Sequence, residues 1–240
     1  MHWQDELSVS ELAPDEVHLW SVDLDNYVTG TPVLSSEESE RACRFVQPIH
    51  RVRYAAAHTA LRQLLSAYLR RAPESLSFES QSTGKPFIES GEGEERLFFN
   101  LSHSEDLALI GVTRAGEIGV DIERLRPVPD VDDIASRFFS ESERQRIREM
   151  KSEDQARAFL ICWTRKEAYI KARGTGLSTR LSSFEVEVRE ELPARLIQID
   201  GDESTAASWT LLHVEPANDF VGAAAIEARA VRPRLFRWMS

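Results

Sequence analysis

Residues 17–24, Val-His-Leu-Trp-Ser-Val-Asp-Leu, alternate in polarity as a half-buried strand does. Ser35-Ser36-Glu37-Glu38 then opens a helix, with a hydroxyl at the cap and acidic residues in the first turn. A second helix follows, its apolar residues Ala57, Leu61, Leu64, Leu65, Tyr68 and Leu69 keeping helical spacing until Ala72-Pro73 stops it. Short runs at 76–79, 86–89, 97–101 and 107–113 read as strands separated by Gly-containing turns. The second half repeats this grammar. A strand over 117–123 leads through a Pro-bearing turn to helices near 130–150 and 153–173, then to strands near 183–189, 194–200, 208–214 and 219–228.

The halves read as structural twins. In each, the longest helix is followed by a turn and a Phe-bearing strand, Leu76-Ser-Phe78 in one and Leu181-Ser-Ser-Phe184 in the other, although few residues coincide. The expected class is α+β: two similar α/β lobes related by a pseudo-twofold axis, an N-terminal lobe over 1–116 and a C-terminal lobe over 117–240. The seam at Arg114-Ala-Gly116 is short, so the lobes should behave as one unit, with a groove between them as the natural ligand site. Such an internal pseudo-dimer makes a monomer self-sufficient. The closing segment 229–237, four arginines among apolar residues, reads as a packed strand or tail with no assigned function.

A chain of 240 residues, 42% of them hydrophobic, can bury a sizeable core. Its net charge of −11 argues against nucleic acid, which needs a surface excess of Lys and Arg to displace counterions. No stretch approaches a membrane span, and the start, Met1-His-Trp-Gln-Asp-Glu, is neither basic nor apolar, so a cytoplasmic protein is expected. Cys43 and Cys162 lack paired spacing, which fits a reducing compartment and reads each as a small buried hydrophobe. One local exception interrupts the acidity. From Arg41 to Arg71 there are seven arginines and no Asp or Glu. Arg62, Arg70 and Arg71 read as snorkelling around an apolar helix face, whereas Arg41, Arg44, Arg51 and Arg53 are candidates for contact with a small polyanion.

Chemistry concentrates in two places. In Gly119-Val-Asp-Ile-Glu123, strand alternation turns Asp121 and Glu123 one way and Val120 and Ile122 the other, into a core. In Trp163-Thr-Arg-Lys-Glu-Ala-Tyr-Ile-Lys171, four-residue spacing lines Trp163, Glu167 and Lys171 along one helix face. If strand and helix meet, three carboxylates and an ammonium converge into a seat for Mg2+ carrying a phosphate ester. Zinc is disfavoured by the scattered histidines and cysteines. Taken singly, each element has a structural reading: Asp-x-Glu is common at strand ends, and Glu167 with Lys171 is an ordinary helix pair worth about 0.2–0.5 kcal/mol. Their order and separation tip the balance. Asn100-Leu-Ser-His-Ser104 adds His103 between two hydroxyls, a possible phosphate cradle, and Thr83-Gly-Lys-Pro-Phe87 is a turn presenting Lys85. Gly174-Thr-Gly176 reads first as a helix C-cap.

In order along the chain, Gly84-Lys85-Pro86, Asn100-Leu-Ser-His-Ser104, Gly119-Val-Asp-Ile-Glu123 and Trp163 through Lys171 resemble the motifs of the surfactin-synthetase-activating 4′-phosphopantetheinyl transferases. The match runs from about Arg41 to Phe184, and its last two motifs are the specific ones. The resemblance implies the pseudo-twofold transferase fold and transfer of the phosphopantetheine arm of coenzyme A to a serine of an acyl or peptidyl carrier protein, releasing 3′,5′-ADP. It implies Asp121, Glu123 and Glu167 as Mg2+ ligands, Lys171 on the phosphates, and Arg53, Lys85, Ser102 and His103 in the coenzyme A site, with Arg41 a further candidate. Glu167 is the expected general base, directly or through water. Lys166 matches the motif without an evident role, and Tyr54 stands where a smaller residue is usual. Carrier proteins are acidic, so docking is expected near Phe138-Phe139 with Arg137, Arg144, Arg146 and Arg148, or at Arg173 and Arg180. Two alternatives stand beside this reading: a catalytically silent coenzyme A or carrier binder, and a metal-dependent phosphate-ester hydrolase.

Overall fold

The computed structural model describes residues 2–27, 32–91 and 95–239. In chain order the elements are β1 (Trp3–Glu6), β2 (Glu16–Asp23), α1 (Ser36–Cys43), α2 (Pro48–Leu69), β3 (Glu79–Ser80), β4 (Pro86–Phe87), β5 (Phe98–Ser104), β6 (Leu107–Thr113) and β7 (Ile118–Arg124). They continue with α3 (Val131–Phe138), α4 (Glu141–Arg148), α5 (Ser152–Arg173), β8 (Phe184–Val186), β9 (Leu196–Ile199), α6 (Glu203–Ala206), β10 (Thr210–Val214), β11 (Phe220–Ile226) and β12 (Arg232–Trp238).

Two sheets carry the architecture, one ordered β1-β12-β2-β6-β5 and one ordered β10-β11-β7. Alternation along the strands decides what lies on each face. In β2, Trp20 and Val22 turn toward α2, while Val17 and Leu19 join Leu109, Val120, Ile122, Phe220 and Ala224 in a core between the sheets. In β11, Val221, Ala223 and Ala225 face α5. The result is four layers, α2, sheet, sheet and α5, with the two helices of 22 residues each in matching outer positions. This is the twin-lobed α+β arrangement read from the sequence.

Local signals explain where the elements start and stop. Ser35 caps α1 and Ser140 caps α4 through reciprocal capping boxes with Glu38 and Glu143, each box satisfying two otherwise unpaired amides. Gly174 ends α5 in the left-handed conformation, φ 63°, that glycine adopts at little steric cost. Arg62 does not snorkel as expected: it is buried, donating to Glu38 at 2.8 Å and to the Leu76 carbonyl at 2.8 Å. Tyr54 is core, stacked on His58 with ring centroids 4.1 Å apart. Cys162 is buried, but Cys43 is exposed, contrary to its reading as a core residue.

The closing strand corrects the lobe boundary. β12 lies between β1 and β2, parallel to both, so Arg232–Trp238 belongs to the sheet of the N-terminal lobe rather than to a lobe spanning 117–240. The chain returns across the seam, and its last strand fastens the lobes together. Among the described residues, no helix is long and apolar enough to cross a membrane.

Candidate active site

β5 and β7 lie side by side where the two sheets meet, but side chains rather than a backbone ladder join them. Asn100, Ser102 and Ser104 alternate onto one face of β5. Asn100 Oδ1 accepts from the Val120 amide at 2.9 Å, and Ser104 Oγ accepts from the Arg124 amide at 3.2 Å. Between them Ser102 Oγ donates to Asp121 Oδ1 at 3.0 Å, and Ser104 Oγ donates to Glu123 Oε2 at 3.1 Å. The Asn-x-Ser-His-Ser run therefore splices the lobes and orients the two acids. This use of Asn100 and Ser104 was not anticipated, although their period-2 spacing with Ser102 was the available signal.

α5 packs across β7 at very short range. A Cβ on Gly119 would stand 2.1 Å from the Ala168 carbonyl oxygen and 2.2 Å from the Ala172 nitrogen, so only glycine lets the helix approach. That approach brings Lys171 Nζ to 2.6 Å from Asp121 Oδ1 and 2.9 Å from Ser102 Oγ. Asp121 is only 5% exposed, and its second oxygen, Oδ2, is buried without a hydrogen-bond partner. Burial, followed by the charge of Asp121, raises the pKa of Glu123 from its ordinary value; burial and Asp121 raise Glu167 likewise, with Lys171 opposing. Three carboxylates thus act on one another with a single ammonium among them. An orphaned carboxylate oxygen, hard oxygen donors and mutual repulsion suit a divalent cation.

The convergence is looser than a closed cage. Among the described residues, the group bringing one ligand atom each within 4.8 Å of one another is Glu190, His213 and Glu215, which had not been singled out. Arg157 donates to both Glu190 and Glu215, so that trio is a surface ion-pair network. Burial, then the charge of Arg165, holds His213 down at about 4.

A cleft of about 820 Å³ opens between the Thr83–Pro86 turn with Asn100 and Leu101 on one side, and Phe138, Glu167, Lys171 and the 179–182 segment on the other. Arg41, Arg137 and Arg180 also line it. Glu123 borders a neighbouring hollow of about 280 Å³ with Trp163, whose ring packs among Phe138, Phe139 and Phe159. A larger hollow of about 960 Å³, near Tyr68 and Arg234, contains none of the expected site residues.

Three residues expected at the ligand have protein partners. Lys85 borders the cleft, but its ammonium is buried against Glu117 Oε2 at 2.6 Å and the Ala172 carbonyl at 2.8 Å, fastening the turn to the end of α5. Ser102 is held by Asp121 and Lys171 and supports them. Arg53 forks onto Asp25 with two 2.8 Å bonds and reaches Glu105 at 3.2 Å, partners that are themselves exposed. His103 opens to solvent. Desolvation by surrounding protein, then the charges of His58, Lys171, His50 and Arg53, lowers its pKa below the ordinary imidazole value.

Comparisons with known proteins show the family. Residues 117–225 match the 4′-phosphopantetheinyl transferase superfamily, and residues 18–114 match the 4′-phosphopantetheinyl transferase N-terminal family. The chain is 37% identical over 231 residues to the 4′-phosphopantetheinyl transferase HetI of Nostoc sp., covering 95% of this chain and 94% of that one. It is 31% identical over 170 residues to a 4′-phosphopantetheinyl transferase of Bacillus subtilis, covering 71% and 73%. The crystal structure of Thermotoga maritima holo-[acyl-carrier-protein] synthase overlaps 47% of this chain and 63% of its own at a TM-score of 0.37 and 22% identity.

Proposed function

The chain belongs to the 4′-phosphopantetheinyl transferase family, and we propose that it takes the phosphopantetheine arm from coenzyme A and places it on a serine hydroxyl of an apo acyl or peptidyl carrier protein, releasing 3′,5′-ADP. The observation that carries the site assignment is the Ser102–Asp121–Lys171 knot with Asp121 Oδ2 left unpartnered beside Glu123 and Glu167. Asp121, Glu123 and Glu167 would hold Mg2+, which when bound supplies charge neutralisation and Lewis acidity at the pyrophosphate. Lys171, about one third exposed, stands beside Asp121 to receive phosphate oxygens. His103 offers a neutral N–H to the same group. Arg53 turns from Asp25 and Glu105, both solvent-exposed, to the phosphates of coenzyme A.

The serine Oγ attacks phosphorus as the bond to the ADP oxygen breaks, and the serine proton must leave. Glu167, a carboxylate on the cleft wall, receives it directly or through a water. Lys85 and Ser102 act one step back, the first on the turn, the second on Asp121 and Lys171. The carrier approaches over Phe138, Arg137 and Arg180, an apolar and basic wall on an acidic molecule. Arg144 and Arg148 are occupied by Glu141 and Asp132, which makes Arg180 the better probe. Arg180→Glu should raise KM for the carrier roughly tenfold and leave KM for coenzyme A unchanged, as steady-state kinetics on each substrate will show; equal changes in both count against this face.

Intact-mass measurement of several apo-carriers after incubation with the protein, coenzyme A and Mg2+ tests the function itself. The expected result is one phosphopantetheine added to a carrier serine. An ADP-type product without carrier gain indicates a hydrolase, and neither product indicates a binder.

A further inference from the structure

We infer that Lys166 and Glu143 form a positioning pair that fixes the 179–184 segment as one wall of the cleft and so sets affinity for the carrier, an inference that rests on the carrier-protein reading above. Both side chains are completely buried. The Lys166 ammonium places all three of its donors: on Glu143 Oε2 at 2.8 Å, on the Leu181 carbonyl at 2.7 Å and on the Phe184 carbonyl at 2.7 Å. The Glu143 carboxylate is equally committed, accepting from the Ser140 amide at 2.9 Å and the Val186 amide at 2.8 Å. One charge pair therefore ties together the start of α4, the middle of α5, the 3-10 turn Leu181–Ser183 and β8.

The consequence for the site follows from where those carbonyls are. Thr179, Arg180, Leu181 and Ser182 line the cleft on the wall that carries Phe138 and Arg137, opposite the turn that holds Lys85. This segment has little regular structure of its own, and the ammonium grips it from behind. Lys166 cannot touch substrate, because it has no exposed surface and no spare donor. An apolar pair of the same volume would be about as stable in such a place. What the ion pair adds is a fixed position for two carbonyls behind the docking wall, next to Glu167 in the chain.

The double variant Lys166→Met with Glu143→Gln removes both charges and keeps an acceptor for the Val186 amide. It should raise KM for apo-carrier about tenfold or more, keep kcat and KM for coenzyme A within about twofold, and speed amide exchange over 179–186. A fall in kcat at saturating substrates with KM unchanged overturns the inference, as does a variant that matches the unmodified enzyme. If the variant does not fold, exchange in the unmodified protein decides: the Val186 amide should be as slow as the core of α5, and rapid exchange there contradicts the anchoring. An unmodified protein that loads no carrier overturns the affinity claim together with the function on which it rests, whereas exchange still judges the anchor.

Discussion

Glu167→Gln should lower kcat/KM for carrier loading by about 10²- to 10³-fold, because it removes both a cation ligand and the proposed proton acceptor. The same change should make the chelator-treated protein more stable. The half-buried Glu167 carboxylate is pushed upward by desolvation and by Asp121, so charging it in the folded protein carries a cost that glutamine does not incur. The sign is fixed by linkage. A carboxylate with a raised folded pKa binds its proton more tightly in the native state, so its contribution is present below the unfolded pKa and is lost as pH rises through the folded value. Glu123 behaves in the same direction. In chelator, the stability advantage of the glutamine variant over the unmodified protein should therefore grow as pH rises from the ordinary glutamate value through the raised Glu167 value. Thermal melts across pH, paired with carrier-loading rates, read both effects; full turnover with undiminished cation affinity would remove both roles from Glu167.

Among the described glycines, Gly119→Ala should be the most damaging substitution. Its Cβ would meet backbone on two sides, at Ala168 and Ala172, and neither can rotate away. β7 and α5 must separate, at a cost of about 3 kcal/mol, equivalent to roughly 6–12 °C in Tm for a chain of this size. Activity should fall further than stability explains, since the same displacement carries Asp121 and Glu123 away from Glu167 and Lys171. Calorimetry with loading assays below the melting transition separates the two losses; an unchanged Tm contradicts the close approach.

The strand face shared by Asp121 and Glu123 and the helix face shared by Glu167 and Lys171 are legible because each depends on a local periodicity: alternation in a strand and a four-residue repeat in a helix. The capping boxes at Ser35 and Ser140 and the C-cap at Gly174 are local for the same reason. What could not be read were pairings set by distant backbone. Nothing near Lys85 says that its ammonium will end on Glu117 and the Ala172 carbonyl, and nothing near Arg62 says that Glu38 will bury it. The 229–237 segment reads as a strand or tail of the C-terminal lobe, because strand order is decided by partners more than two hundred residues away, as in the pairing of Trp3 with Leu235. Ser102 illustrates the middle case: its face was predictable, whereas its role as support for Asp121 rather than contact for phosphate depended on how closely Gly119 admits α5.

The central claim is that Asp121, Glu123 and Glu167 share one divalent ion that also grips the diphosphate of coenzyme A. Pulsed electron paramagnetic resonance with Mn2+ in place of Mg2+ measures this directly, through hyperfine coupling between the metal and phosphorus. With coenzyme A present, the protein should show strong phosphorus coupling that disappears in Asp121→Ala and in Glu167→Gln. Bound Mn2+ without phosphorus coupling, or coupling that survives both substitutions, would contradict it.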